Sequence, residues 1–172
     1  MGVAKIEILA PEKIQIKDYQ TFSAYGYEDL TMQMLGLHQF ENATAAILAA
    51  EAYLTDYLPI KLGEESETEH ELEEKISQQI QQAVREGIAV TKWPGRMEVL
   101  SQEPFFMVDG AHNAHGVTAL RKSLEALFPG EQFHFLMGVM ADKDYVDMIQ
   151  ELLPLALDFT TVTVGYSRSL EE

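Results

Sequence analysis

Phe105-Phe106-Met107-Val108-Asp109-Gly110-Ala111-His112-Asn113-Ala114-His115-Gly116 is the stretch that decides the fold. Four apolar residues read as a short buried strand, Asp109 stands at its carboxyl end, Gly110 permits a tight turn, and Asn113 stands where a helix needs a cap. Working outward, residues 97–101 read as a strand, 114–128 as a helix, 133–139 as a strand, 144–153 as a helix and 159–164 as a strand rich in Thr and Val. Helices that alternate with short apolar runs imply parallel strands joined by crossovers, an open α/β sheet. Ligands of such sheets sit beyond the carboxyl ends of the strands, which singles out the residues that follow Val108 and Val139.

Upstream the pattern differs. Lys5-Ile6-Glu7-Ile8 and Lys13-Ile14-Gln15-Ile16-Lys17 alternate polar and apolar residues, the mark of half-buried strands. Residues 20–25 and 30–35 add two more, with Tyr25-Gly26-Tyr27-Glu28-Asp29 as the turn. Phe40, Ala43, Ile47, Ala50, Leu54 and Tyr57 then recur at helical spacing, predicting a helix that buries this stripe and ends before Pro59. Leu72, Ile76, Ile80, Val84 and Ile88 recur every four residues and predict a second helix. Trp93-Pro94-Gly95 is a breaker, so the expected domains are residues 1–90 and 91–172.

The chain has 172 residues, 47% hydrophobic residues, no cysteine and a net charge of -16. Its composition excludes disorder throughout, a disulfide scaffold, cysteine chemistry and cysteine-ligated metal. So acidic a chain is a poor nucleic-acid sheath, and no apolar run approaches the length of a membrane span. The expectation is a cytoplasmic protein that binds neither nucleic acid nor membrane. The charge divides into -10 over residues 1–90 and -6 over 91–172. Glu64, Glu65, Glu67, Glu69, Glu71, Glu73 and Glu74 supply much of it, and they read as a solvated loop or the first turn of a helix.

Three segments have the residue types that site chemistry needs. In the opening stretch, Asp109 can accept hydrogen bonds from a ribose or hold a cation, and a helix start offers N–H groups to an anion. The plain alternative is that Asn113 caps the helix and His112 merely packs. Thirteen residues before Asp109, Arg96 follows Trp93-Pro94-Gly95, a stiff approach that aims a guanidinium suited to phosphate; taken alone, a surface turn with a solvated Arg is the better account, since Pro-Gly turns are common. In Gly36-Leu37-His38-Gln39-Phe40-Glu41-Asn42-Ala43, Asn42 points away from the buried stripe, where its amide can read an adenine edge or can serve an ordinary helix start. Lys143, between Asp142 and Asp144, is a further candidate for substrate contact, and helix capping by Asp142 or Asp144 explains the acids equally well. His70 and His134 read as solvated and outward-facing, and the eight Met as core filler.

Taken in order, Gly-x-His-Gln-x-x-Asn-Ala, Trp-Pro-Gly-Arg and Asp-Gly-Ala-His-Asn resemble the motifs of the folylpolyglutamate synthase and dihydrofolate synthase family of the Mur ligase superfamily. Gly138-Val139-Met140-Ala141-Asp142-Lys143-Asp144 resembles a further family segment, and Tyr166-Ser167-Arg168-Ser169-Leu170 a later Arg-containing turn. The likeness covers roughly residues 20–172. It implies a Rossmann-like, mostly parallel open sheet of the Mur ligase C-terminal type, preceded by the β-rich and helical end of a P-loop ATPase domain. The implied reaction is ATP-dependent addition of L-glutamate to a folate or dihydropteroate carboxylate through an acyl phosphate. By motif, Asn42 would contact the base, Arg96 the phosphates and Asp109 the ribose side of ATP. His112 would lie near the phosphates or the incoming glutamate, and Lys143 near substrate.

The departures narrow this picture. The family's Gly-rich phosphate loop is missing, and no Gly-Lys pair occurs in the chain. The implied fragment is therefore inactive alone, the Mg2+ ligands are expected in the missing N-terminal part, and the full-length enzyme is expected to be a monomer. Ala114 stands where the family usually has Pro, and residues 55–86 exceed the expected spacing, which suggests a surface excursion. Two other readings stay open: a Mur-type ligase of cell-wall precursors, and a non-catalytic acidic module that binds a nucleotide or protein.

Overall fold

A computed structural model of the chain describes residues 19–62, 68–163 and 165. The strands expected at 5–8 and 13–17, the acids Glu64, Glu65 and Glu67, and the turn at 166–170 with Arg168 lie outside the described residues. The described residues form two compact units, 19–93 and 94–165.

In the first unit β1 (Gln20–Ala24) pairs antiparallel with β2 (Tyr27–Met32). The turn is shorter than the sequence suggested: Tyr25 and Gly26 alone make it, with φ of 49° and 82°, the pair of left-handed residues that matches the twist of a two-residue hairpin. Tyr27 thereby begins the second strand, buried. Two helices follow, α1 (His38–Leu62) and α2 (Glu69–Val90). Phe40, Ala43 and Ile47 of α1 and Ile80 and Val84 of α2 enclose a core with Phe22, Leu30 and Met32 of the hairpin.

Three expectations fail in this unit. α1 runs through Pro59 instead of stopping before it. The ring removes one donor near the end of the helix, and the buried Leu58 keeps that last part packed. Tyr57 does not belong to the buried stripe: it stacks on Tyr53 on the outer face, ring centroids 5.6 Å apart, and Leu58 takes the inward position. Within 55–86 the described residues, 55–62 and 68–86, form no surface excursion, because the end of α1 and most of α2 supply Leu58, Ile80 and Val84 to the core. The described acids of the run, Glu69, Glu71, Glu73 and Glu74, stand at the start of α2 instead. Thr68 Oγ1 accepts from Glu71 N (3.2 Å) and Glu71 Oε2 accepts from Thr68 N (3.1 Å), a reciprocal cap that supplies partners for two helix-start N–H groups.

The buried Tyr27 hydroxyl donates to Glu51 Oε1 at 2.8 Å. Burial, then the Glu51 carboxylate, pushes its pKa from 10 up to about 12. The unfolded chain would release this proton near pH 10, so the stability linked to Tyr27 is whole below pH 10 and is lost as pH rises toward about 12. Tyr27→Phe keeps the ring buried and should flatten the alkaline fall in the urea unfolding midpoint. An equally steep fall in both proteins would remove this hydroxyl as its source.

The second unit runs β3 (Glu98–Gln102), β4 (Phe105–Val108), α3 (Ala114–Leu127), β5 (Phe133–Met137), α4 (Tyr145–Leu152) and, after a 3-10 turn at Leu153–Leu155, β6 (Ala156–Thr161). This is the predicted order, and it is an α/β fold with a small parallel sheet. β5 and β6 pair in parallel across the α4 crossover. β3 and β4 pair antiparallel, since only Glu103 and Pro104 join them and two residues cannot carry a crossover. β6 starts three residues earlier than expected because Ala156 already pairs with Phe133. Val117, Met148 and Leu152 form the core under Phe135, Met137 and Phe159. Arg121 joins α3 to α4, donating to Glu151 and Glu125 at 2.9 Å each, and its hydrogen bond holds the Glu151 carboxyl below the usual range. His134 faces outward as expected, but it pairs with Asp158 at 2.6 Å across the parallel strands.

Candidate functional site

The β3–β4 hairpin brings the two ends of a long sequence separation together. Glu98 pairs with Val108 in the sheet, so the residues before β3 lie beside those after β4. Gly110 N donates to Gly95 O at 2.7 Å, a direct link between the Trp-Pro-Gly-Arg segment and the Asp-Gly-Ala-His segment. The approach is close here: a Cβ on Gly110 would lie 3.2 Å from Gly95 O, tighter than most such contacts, and 3.7 Å from Arg96 Nη1.

Asp109 fastens both segments. Its Oδ2 accepts from Met97 N at 2.9 Å and its Oδ1 from Ala111 N at 2.8 Å. Met97 has φ of 45°, a region costly for a residue with a side chain, yet its side chain is buried. Burial on one side and the Asp109 bond on the other hold it there. Gly95, at φ of 73°, donates its N–H to Glu98 Oε2 at 2.8 Å. Between these two left-handed residues Arg96 is exposed, and among the described residues no carboxylate forms an ion pair with it. Trp93, three residues earlier, is 66% exposed.

Asn113 caps α3, its Oδ1 accepting from Gly116 N at 2.8 Å. The capping account therefore holds for Asn113, while His112 does not pack inside: it is exposed, with Nδ1 2.9 Å from Gly110 O. A carbonyl only accepts, so Nδ1 has the proton in this contact, and a neutral ring keeps its lone pair on Nε2. Arg96, Asp109 and His112 thus gather about Gly110. Lys143 stands on the loop after β5, its Nζ 3.3 Å from Asp142. Asp144 precedes α4 without a side-chain capping bond, contrary to the capping account of that acid. Asn42 belongs to the other unit, on the first turns of α1, where its Nδ2 donates to Gln39 Oε1 at 3.1 Å. Gln39 is buried, and its Nε2 lies 3.1 Å from His38 Nε2. Sequence reasoning missed Glu98; its one signal is a carboxylate three residues after a turn glycine.

Residues 95–170 match the family described as Mur ligase, glutamate ligase domain. The chain is 32% identical over 130 residues to a dihydrofolate synthase/folylpolyglutamate synthase of Bacillus subtilis, covering 76% of this chain and 26% of that protein. It is 32% identical over 145 residues to the folylpolyglutamate synthase of Lacticaseibacillus casei, covering 84% and 29% respectively. The crystal structure of Mycobacterium tuberculosis folylpolyglutamate synthase complexed with ADP and AMPPCP superposes with a TM-score of 0.68 at 25% identity, over 89% of this chain and 30% of that one. The chain therefore spans under a third of the length of these relatives.

Proposed function

The chain belongs to the folylpolyglutamate synthase/dihydrofolate synthase family of Mur ligases, and on that premise we propose that it carries part of the ATP and glutamate site of a folate ligase. In this reading residues 1–90 belong to the end of the ATPase domain and 91–172 to a Mur ligase C-terminal-like domain, in a cytoplasmic protein. The full-length enzyme would phosphorylate a folate or dihydropteroate carboxylate with ATP. The amine of L-glutamate would then attack the acyl phosphate and release phosphate.

The observation that carries the proposal is the tethered Arg96. An exposed guanidinium with no described carboxylate partner, on a loop pinned by Asp109, Glu98 and Gly110, offers a fixed cation to a phosphoryl group on which charge builds. Asn42 would read the adenine, Asp109 would face the ribose side while holding the loop, and His112 would offer Nε2 to the phosphates or the incoming glutamate. Lys143 would contact substrate. Among the described residues no group of three or more acidic or histidine side chains converges, and no step is assigned to Mg2+ here. Among the described residues no helix is long and apolar enough to cross a membrane.

The test is ligation by the full-length protein. With ATP, L-glutamate and a reduced folate or dihydropteroate it should release ADP and phosphate in step with a product one glutamate heavier. Turnover confined to nucleotide-linked muramyl peptides would replace the folate assignment.

A further inference from the structure

We propose that Glu98 is a positioning residue for Arg96, fixing the backbone on the N-terminal side of the guanidinium; this rests on the ligase reading above. Arg96 stands between two anchored peptide groups. On one side Met97 N donates to Asp109 Oδ2 at 2.9 Å. On the other Gly95 N donates to Glu98 Oε2 at 2.8 Å, and Gly95 O accepts from Gly110 N at 2.7 Å. The two carboxylates thus bracket one residue. Neither of them pairs with the guanidinium in any described contact, so both act on the backbone and leave the cation available.

The bracket matters because Met97 is held in left-handed backbone at φ of 45°, while Gly95, at φ of 73°, is unstrained there and free to take other conformations unless its peptide is tied. A segment in such a conformation relaxes unless its surroundings over-determine it. Glu98 is well based for this, since it is the first residue of β3 and pairs with Val108, one residue before Asp109. The sheet register therefore sets the distance between the two anchoring carboxylates. Glu98 is half-buried, which shelters its bond to Gly95 from competing water. Loss of that acceptor would leave Met97 and Gly110 as the remaining ties and would let the Gly95 peptide swing, moving Arg96 off its line.

The test uses the 172-residue chain, with backbone 15N relaxation of the free protein and a titration with ADP. In Glu98→Ala the order parameters of Gly95 to Met97 should fall while those of β3 and β4 stay, and the ADP dissociation constant should rise about tenfold, in the range that small misplacements produce. Glu98→Gln keeps an oxygen that accepts and should remain within about twofold of the parent chain. Glu98→Asp falls one methylene short of Gly95 and should behave like the alanine variant, with the fold kept. Parent-like loop order and ADP affinity in Glu98→Ala would overturn the proposal, and so would a Glu98→Gln variant as impaired as Glu98→Ala. The ligase reading is decided separately, by ligation with the full-length protein; if the 172-residue chain, which lacks the phosphate loop, gives no saturable ADP response, loop order in the free variants alone decides the role of Glu98.

Discussion

Arg96→Ala in the full-length ligase is expected to lower kcat by about 10² to 10³-fold, the loss seen when a preorganised donor to a developing negative charge is removed. The fold should survive, because the loop is held by Gly95 N and O and by Met97 N, none of which involves the Arg96 side chain. The unfolding midpoint should therefore match the parent within about 0.5 kcal/mol, as for other exposed substitutions. Arg96→Lys is a sharper probe. It keeps the charge but loses the planar fork, so an intermediate activity is expected if the guanidinium meets a phosphate with two N–H groups. Steady-state kinetics with ATP varied would check both variants, and parent-like kcat in the alanine variant would exclude Arg96 from the site.

The second large effect is on stability. Asp109→Ala removes two charge-assisted acceptors, from Met97 N and Ala111 N, and leaves Met97 in a left-handed conformation without its tether. A hydrogen bond to a charged group contributes about 1.5–3 kcal/mol, and neighbouring bonds are not additive, so a loss of about 3 kcal/mol is expected. Asp109→Asn keeps one acceptor oxygen and should cost about half of that. Urea unfolding of the 172-residue chain would measure both. A loss below about 0.5 kcal/mol for the alanine variant would mean that the loop holds its shape without Asp109. Activity should fall as well, since a released loop no longer aims Arg96. Reading Asp109 only as a ribose ligand would predict a binding defect without this destabilisation.

Much of the second unit was legible because each element is short and strongly patterned. Met148 and Leu152 repeat at helical spacing, and Phe133, Phe135 and Met137 alternate, so strand and helix could be told apart before their partners were known. The pairing of β3 with β4 was also written locally, in a connection of two residues, although the general α/β pattern pointed to parallel strands. The described residues of 55–86, namely 55–62 and 68–86, were misread for a different reason. Their charged and Gln-rich surface dominates composition, while Leu58, Ile80 and Val84, which decide their place, are few and spread over two helices.

The site was legible as motifs and illegible as a mechanism of support. Arg96, Asp109 and His112 stand out by residue type and order, and the hairpin gathers them. That Asp109 reaches Met97 depends on strand register, and that Glu98 turns back to Gly95 depends on a side-chain direction; neither follows from local spacing. Left-handed Met97 is the clearest example. Methionine has no preference for that conformation, so only the finished hairpin makes it tolerable.

The chain has one tryptophan, and Trp93 stands open to water three residues before Arg96. Its indole is thus a built-in fluorophore for this loop, with no background from a second indole. Emission near this residue should respond to an anion reaching Arg96. The unlabelled protein can therefore be followed by light beside its proposed chemistry.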